Sequence, residues 1–268
     1  MGADIKALKV RIRSVDSTMH LTRAMGLVAS SKMNRANLAM NNSRQYAEAF
    51  AKAVELLAVS PDCAGSPYLA EKSGSRTKLI VIAGDRGLAG GYNANIFRTV
   101  AQQENIDILP IGKRACDRYG QGYLSAEHFS RMDAAELSKK LCAEFLAGEF
   151  DRLGILYTHY VSLMSQEPAF AWVLPLTKPE KATAASVVFE PDEQTVLDAV
   201  VPNYVAGRIM HAVRESFASE VAARRMAMDS AGKNAQAMID DLQLQYNRAR
   251  QNTITQEITE IVAGSGNY

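Results

Sequence analysis

The residues best placed to do chemistry form the run Gly84-Asp-Arg-Gly-Leu-Ala-Gly-Gly-Tyr-Asn93, in which four glycines follow a short apolar segment and precede a helical one. Glycine-rich turns in that position cradle phosphates, because backbone N–H groups can approach an anion where no Cβ intervenes. This run lacks the Lys-Ser or Lys-Thr that closes a P-loop. Gly84, Gly87, Gly90 and Gly91 also miss the GxGxxG spacing. A tight structural turn, with Asn95 or a neighbour capping the next helix, is the expectation. Histidines 20, 128, 159 and 211 stand apart in sequence, and no His/Asp/Glu group has metal-ligand spacing. No nucleophile, base and orienting group come together either. The sequence therefore predicts no catalytic residues, no cofactor and no metal.

A second pattern carries charge. From Leu242 to Gln256 the only ionised side chains are Arg248 and Arg250, while Glu257 and Glu260 follow in the last turns before Gly264 and Gly266. That order opposes the helix dipole, which favours cations at the C-terminal end. Charges placed against the dipole suit an external partner. Lys6, Lys9, Arg11 and Arg13 near the N-terminus are interspersed with Ile and Leu. If the two ends pair, they make a basic collar, with Asp4 and Asp16 the nearby acids, that an acidic protein would fit. Nucleic acid is excluded as a partner by the lack of aromatic interleaving and of a binding motif, and by a net charge of only +1.

The elements that position these residues follow from periodicity. Ile5, Leu8, Ile12, Val15, Met19, Thr22, Gly26, Ala29, Met33, Ala36, Met40, Ser43, Ala47, Phe50, Val54 and Leu57 keep alternating steps of three and four. Sustained over roughly seven heptads, this predicts a left-handed coiled coil. Phe217, Val221, Arg224, Met228, Ala231, Ala235, Met238 and Leu242 continue the step near the other end, with Arg224 the polar exception. Each helix, about 55 residues long, extends on the order of 80 Å. All eight prolines lie between Pro61 and Pro202, so the middle has a different character.

Within that middle, Lys78–Ala83, Ile106–Gly112 and Leu153–Thr158 read as buried strands, alternating with helical stretches around 95–103 and 134–147. Segments 172–176 and 186–189 read as further strands. The alternation predicts an α/β layer with parallel strands. The expected organisation is a coiled-coil helix at 1–58, a linker at 59–76, a Rossmann-like α/β domain at 77–202 and a second coiled-coil helix at 203–268. The fold class is α/β with a long antiparallel two-helix coiled coil. Cys63, Cys116 and Cys142 form no CxxC pair and suit a reducing compartment. Neither a secretory signal nor an apolar run of membrane-spanning length is expected.

Thr22-Arg-Ala-Met25 with Ala29-Ser-Ser-Lys-Met33, Asp85-Arg-Gly-Leu-Ala-Gly-Gly91, and Tyr246-Asn-Arg-Ala-Arg-Gln251 with Ile254-Thr-Gln-Glu257 together resemble the gamma subunit of F-type ATP synthase. The resemblance implies a central rotor shaft seated in a hexameric ring of alpha and beta subunits, with a foot joined to epsilon and to the membrane c-ring. It implies contacts with the ring at Arg250, Gln251, Thr255 and Glu257, and an acidic beta segment facing Arg224 near Met25. Phe189, Glu190 and Asp192 resemble the foot segment that meets the c-ring and epsilon. Catalysis would belong to the ring, and the complex to the cytoplasmic face of a bacterial inner membrane. The pattern departs from the family at Ala89, usually Cys, and at Gly26, usually acidic. The regulatory dithiol insertion of chloroplast versions is absent. The chief alternative is a coiled-coil scaffold with a structural α/β head and no rotary role; another is a nucleotide-binding regulator acting through the 84–93 loop.

Overall fold

The computed structural model describes residues 2–70, 72, 74, 76–178, 187 and 189–265. The long helices are α1 (Gly2–Ala58) and α5 (Glu193–Ser265). Between them run β1 (Thr77–Ile82), α2 (Tyr92–Val100), β2 (Ile106–Ile111), α3 (Lys113–Tyr119), α4 (Arg131–Leu146), β3 (Arg152–Tyr160) and β4 (Gln166–Leu174). The chain divides into two compact units. One combines Met1–Ala29 with Arg225–Tyr268, and the other is Ser30–Arg224.

In the larger unit the strand order is β2-β1-β3-β4. β1 pairs in parallel with β2 and β3, as expected of apolar strands buried on both faces. β4 runs antiparallel to β3, so the sheet is mixed rather than wholly parallel. A short connection explains the change. The five residues between Tyr160 and Gln166 allow only a hairpin, whereas a parallel return needs a crossover of a dozen or more. The strand expected at 172–176 begins earlier, at Gln166, because Ala169, Ala171 and Val173 alternate inward below the exposed Phe170 and Trp172. The stretch 186–189, read as another strand, lies outside the described residues apart from Val187 and Phe189.

The main core lies between the sheet, α4 and the long helices, with Ile80, Ile82, Leu141, Phe145, Leu153, Ile155, Leu197, Val201 and Ile209 inaccessible. Cys63, Tyr68 and Leu69, from the stretch read as a linker, also contribute to it. A single 3-10 turn at Pro61–Cys63 buries Cys63, and Tyr68 stacks on Phe145 at 6.1 Å between ring centroids. The opposite sheet face is covered by α2 through Leu79, Val81, Ile96, Val100 and Leu156.

Helix α5 starts ten residues before the position 203 read from the proline boundary, and it carries Pro202 internally. Proline inside a helix costs about 3 kcal/mol. Burial of Leu197, Val201, Val205 and Ile209 contributes roughly 1.5–3 kcal/mol each, which outweighs that cost. A cap completes the start: the Thr195 N–H donates to Asp192 Oδ1 at 2.8 Å and the Thr195 hydroxyl to Oδ2 at 2.7 Å.

The smaller unit is an antiparallel helix pair. Met19 packs with Ala235 and Ile239, a Cβ on Gly26 would lie 3.5 Å from Met228 Cβ, and Arg23 reaches Gln236 at 3.5 Å. None of the predicted seam positions of α1 is exposed. On α5 the seam takes Ile239 and leaves Met238 outside. From Ala235, a step of four then three is as regular as three then four, and the β-branched side chain occupies the interior.

Candidate functional site

Three places hold the residues singled out by the sequence. The first is the turn after β1, in the larger unit. Asp85 is its hub: its carboxylate accepts from the Ser125 hydroxyl at 2.6 Å and from the N–H groups of Ala126 (2.8 Å), Glu127 (3.0 Å) and Lys113 (3.2 Å). Burial disfavours the carboxylate, but these donors overcome it and hold the Asp85 carboxyl below its ordinary value. Asn93, not Asn95, ties the turn, since its Oδ1 accepts from the Gly84 N–H at 2.9 Å. Gly91 is the N-cap of α2 and makes no side-chain cap bond, so the capping expected of Asn95 is absent there. Asn95 sits within the helix, where Thr99 donates to its carbonyl. The N–H groups of Gly84, Lys113, Ala126 and Glu127 thus serve the protein's own amide and carboxylate.

Glycine is required here by crowding. A Cβ on Gly84 would lie 2.8 Å from the Glu220 carboxyl carbon, and one on Gly112, at φ +97°, would meet the Ala83 carbonyl at 2.0 Å. Glu220 is 3% exposed, and burial pushes its carboxyl above the usual range against the pull of Arg224. Arg224 pairs with it at 2.5 Å and donates to the Gly87 carbonyl from Nε at 3.3 Å and from Nη2 at 3.2 Å. The exception in the apolar stripe of α5 therefore locks the turn to the helix. Periodicity alone could flag Arg224 as anomalous; only the fold supplies Glu220 and Gly87.

The second place is the start of α5. Phe189 packs against the main core, Glu190 is exposed, and Asp192 is the helix cap. Bonds from the Thr195 N–H and hydroxyl hold the Asp192 carboxyl below its ordinary value. The cap role was missed because Pro202 placed the helix start too late; Asp192-Glu-Gln-Thr195 contains a recognisable capping pattern.

The third place lies in the smaller unit. Lys9 and Ile12 of α1 line a shallow space of about 320 Å³ with Gln243, Tyr246 and Asn247 of α5. Lys6, Lys9, Arg11, Arg13, Arg248 and Arg250 are exposed, and none forms an ion pair among the described residues. Asp16 instead meets His20 at 3.7 Å. Met25 is half-buried on α1. Beyond Leu242 burial fades, and Ile254, Ile258, Ile261 and Val262 are exposed, Ile261 at 71%.

Arg250, Gln251, Thr255 and Glu257 all lie on this outward stretch. The hydroxyls of Thr253, Thr255 and Thr259 donate to carbonyls four residues back, at 3.0, 2.9 and 2.8 Å. Their methyl groups are thereby left for contact. A helix end with isoleucines in water and unpaired arginines lacks an internal purpose and has the character of an interface.

A family model described as ATP synthase matches residues 4–266. The chain is 38% identical over 283 residues to the ATP synthase gamma chain of Ruminococcus albus, covering 99% of both. It is 36% identical to that of Geotalea uraniireducens, covering 98% of both. Among solved structures, it is similar to a chain of the Euglena gracilis mitochondrial ATP synthase OSCP/F1/c-ring assembly, with TM-score 0.69, 16% identity, and coverage of 99% of this chain and 95% of that one. A chain of the Tetrahymena thermophila mitochondrial ATP synthase central stalk and c-ring gives TM-score 0.59 and 22% identity over 79% of this chain and 99% of that one. At these identities the structural matches speak to the fold.

Proposed function

The chain belongs to the ATP synthase gamma-chain family, and from that premise we propose that it is the central-stalk rotor, transmitting torque between a membrane c-ring and catalytic beta subunits. It carries no catalysis of its own in this reading. The observation that supports it most is the outward stretch of α5, where Arg250, Gln251, Thr255 and Glu257 stand among exposed isoleucines. Together with Met25, these residues contact the ring of alpha and beta subunits. Arg224 acts there by fixing the Gly87 turn through its carbonyl and by presenting positive charge to an acidic beta segment.

Phe189, Glu190 and Asp192 contact the c-ring and the epsilon subunit. The protein is peripheral, on the cytoplasmic face of a bacterial inner membrane, in a complex coupled to protons or sodium ions. No helix among the described residues is long and apolar enough to cross a membrane, so attachment runs through the other rotor subunits.

Reconstitution with the organism's alpha and beta subunits tests the proposal. One copy should join six ring subunits, and multi-site ATP hydrolysis should depend on it. Failure of a ring to form around the chain, or hydrolysis indifferent to it, returns the reading to a coiled-coil scaffold.

A further inference from the structure

In the larger unit, a groove of about 730 Å³ runs between α1, α4 and α5, within the size range of small-ligand sites. Alanines 36, 39, 134 and 206 keep it open. Its charge is one-sided: Arg35, Arg131 and Arg214 line it, against Glu127 alone among the described residues. Glu127 is already engaged by Lys32 at 2.6 Å. Arg214 Nη1 donates to the Glu127 carbonyl at 3.3 Å and Nη2 to the Phe129 carbonyl at 2.9 Å, both neutral acceptors. Among the described residues, no carboxylate forms an ion pair with any of the three arginines.

The rest of the unit treats buried charge differently. Glu220 has Arg224 at 2.5 Å, Lys78 has Glu144 at 2.7 Å, and Glu215 has Arg44 at 3.8 Å. A withdrawn charge is costly unless paired, and these pairs obey that rule. Arg214 does not. Burial, and then the nearby Arg131, both lower its affinity for a proton, which marks positive charge held together without compensation. Arg214 is half-buried while Arg35 and Arg131 are exposed to the groove's solvent, where an anion can reach all three, and perturbed charge in a cleft marks a candidate site.

We propose that this groove binds a small, multiply charged anion of the phosphate class, held by Arg35, Arg131 and Arg214. Guanidinium forks match phosphate oxygens in bidentate geometry. Two guanidinium groups that repel one another favour a ligand carrying more than one negative charge. Its wall is tied to the turn at Asp85 through the Glu127 N–H, its lining shares no residue with the proposed ring and c-ring contacts, and it does not depend on the rotor reading.

Isothermal titration of the full chain at physiological ionic strength, with pyrophosphate as the probe, tests this. Saturable one-to-one binding is expected. The Arg35→Gln/Arg131→Gln double variant should weaken it at least about tenfold while retaining the wild-type unfolding temperature. Should the double variant fail to fold, Arg35→Lys, which keeps the charge and loses the fork, should weaken binding by a smaller factor. Parallel titrations with sulfate, citrate and an octamer of glutamate fix the class. Absence of saturable pyrophosphate binding, or binding unchanged in the variants, overturns the site. Citrate or sulfate binding equally well overturns the phosphate assignment, and saturation by the glutamate peptide alone points to an acidic protein segment instead.

Discussion

Single residues divide into those that hold the fold and those available to a partner, and hydrogen bonds separate the two. Asp85 belongs to the first group. Asp85→Asn leaves one amide where a carboxylate accepted four donors, and should cost about 2 kcal/mol at neutral pH in chemical denaturation. Its carboxyl lies below its ordinary value of 3.8 when folded. The stability it contributes is therefore present above pH 3.8 and lost as the pH falls through the lower folded value. The deficit of the asparagine variant should accordingly shrink when denaturation is repeated at progressively lower pH below 4, and a constant deficit would contradict the assignment.

Arg250 and Gln251 belong to the second group. Their side chains are exposed and make no hydrogen bond among the described residues. Arg250→Ala with Gln251→Ala should leave the circular dichroism and unfolding of the isolated chain unchanged, yet reduce ATP synthesis severalfold in assembled complexes. Unaltered synthesis would remove these residues from the ring contact.

Elements are controlled by how they start and by what they bury. The beginning of α5 depends on Asp192, which occupies the Thr195 N–H and hydroxyl. Asp192→Ala should destabilise the start of α5, read as a lower thermal midpoint. Asp192→Asn, which can still cap, should recover most of it. This pair also probes the proposed foot contact. If the asparagine variant is stable but binds epsilon more weakly than wild type, the charge of Asp192 contributes to that interface as well as to the cap.

At the scale of the whole molecule, the decisive question is whether the end of α5 serves the chain or a partner. Residues 254–263 are exposed throughout, so they add little to folding. Removing residues from 254 onward should leave the thermal midpoint within about 2 °C, since surface changes away from packed features shift stability by only about 0.5 kcal/mol. The same truncation should abolish dependence of ATP hydrolysis on this subunit in the reconstituted ring. A large drop in midpoint would instead mean that the segment packs internally.

Much of this was determined by the sequence itself. The three-four seam of α1 from Ile5 to Leu57, the buried strand at 78–83 and the unbalanced charges of 242–257 are local patterns, and local periodicity survives into the fold because a helix or strand places its residues by fixed geometry. The motifs around Met25, Asp85 and Gln251 pointed to the family for the same reason. Tertiary structure alone decided the rest. Whether Pro202 ends a helix depends on the burial of Leu197, Val201, Val205 and Ile209; whether Met238 or Ile239 faces inward depends on the opposite helix. The four donors at Asp85, the Glu220 beside Arg224 and the arginines gathered from α1, α4 and α5 come from distant parts of the chain. Their energies arise from juxtaposition, and juxtaposition has no linear signature.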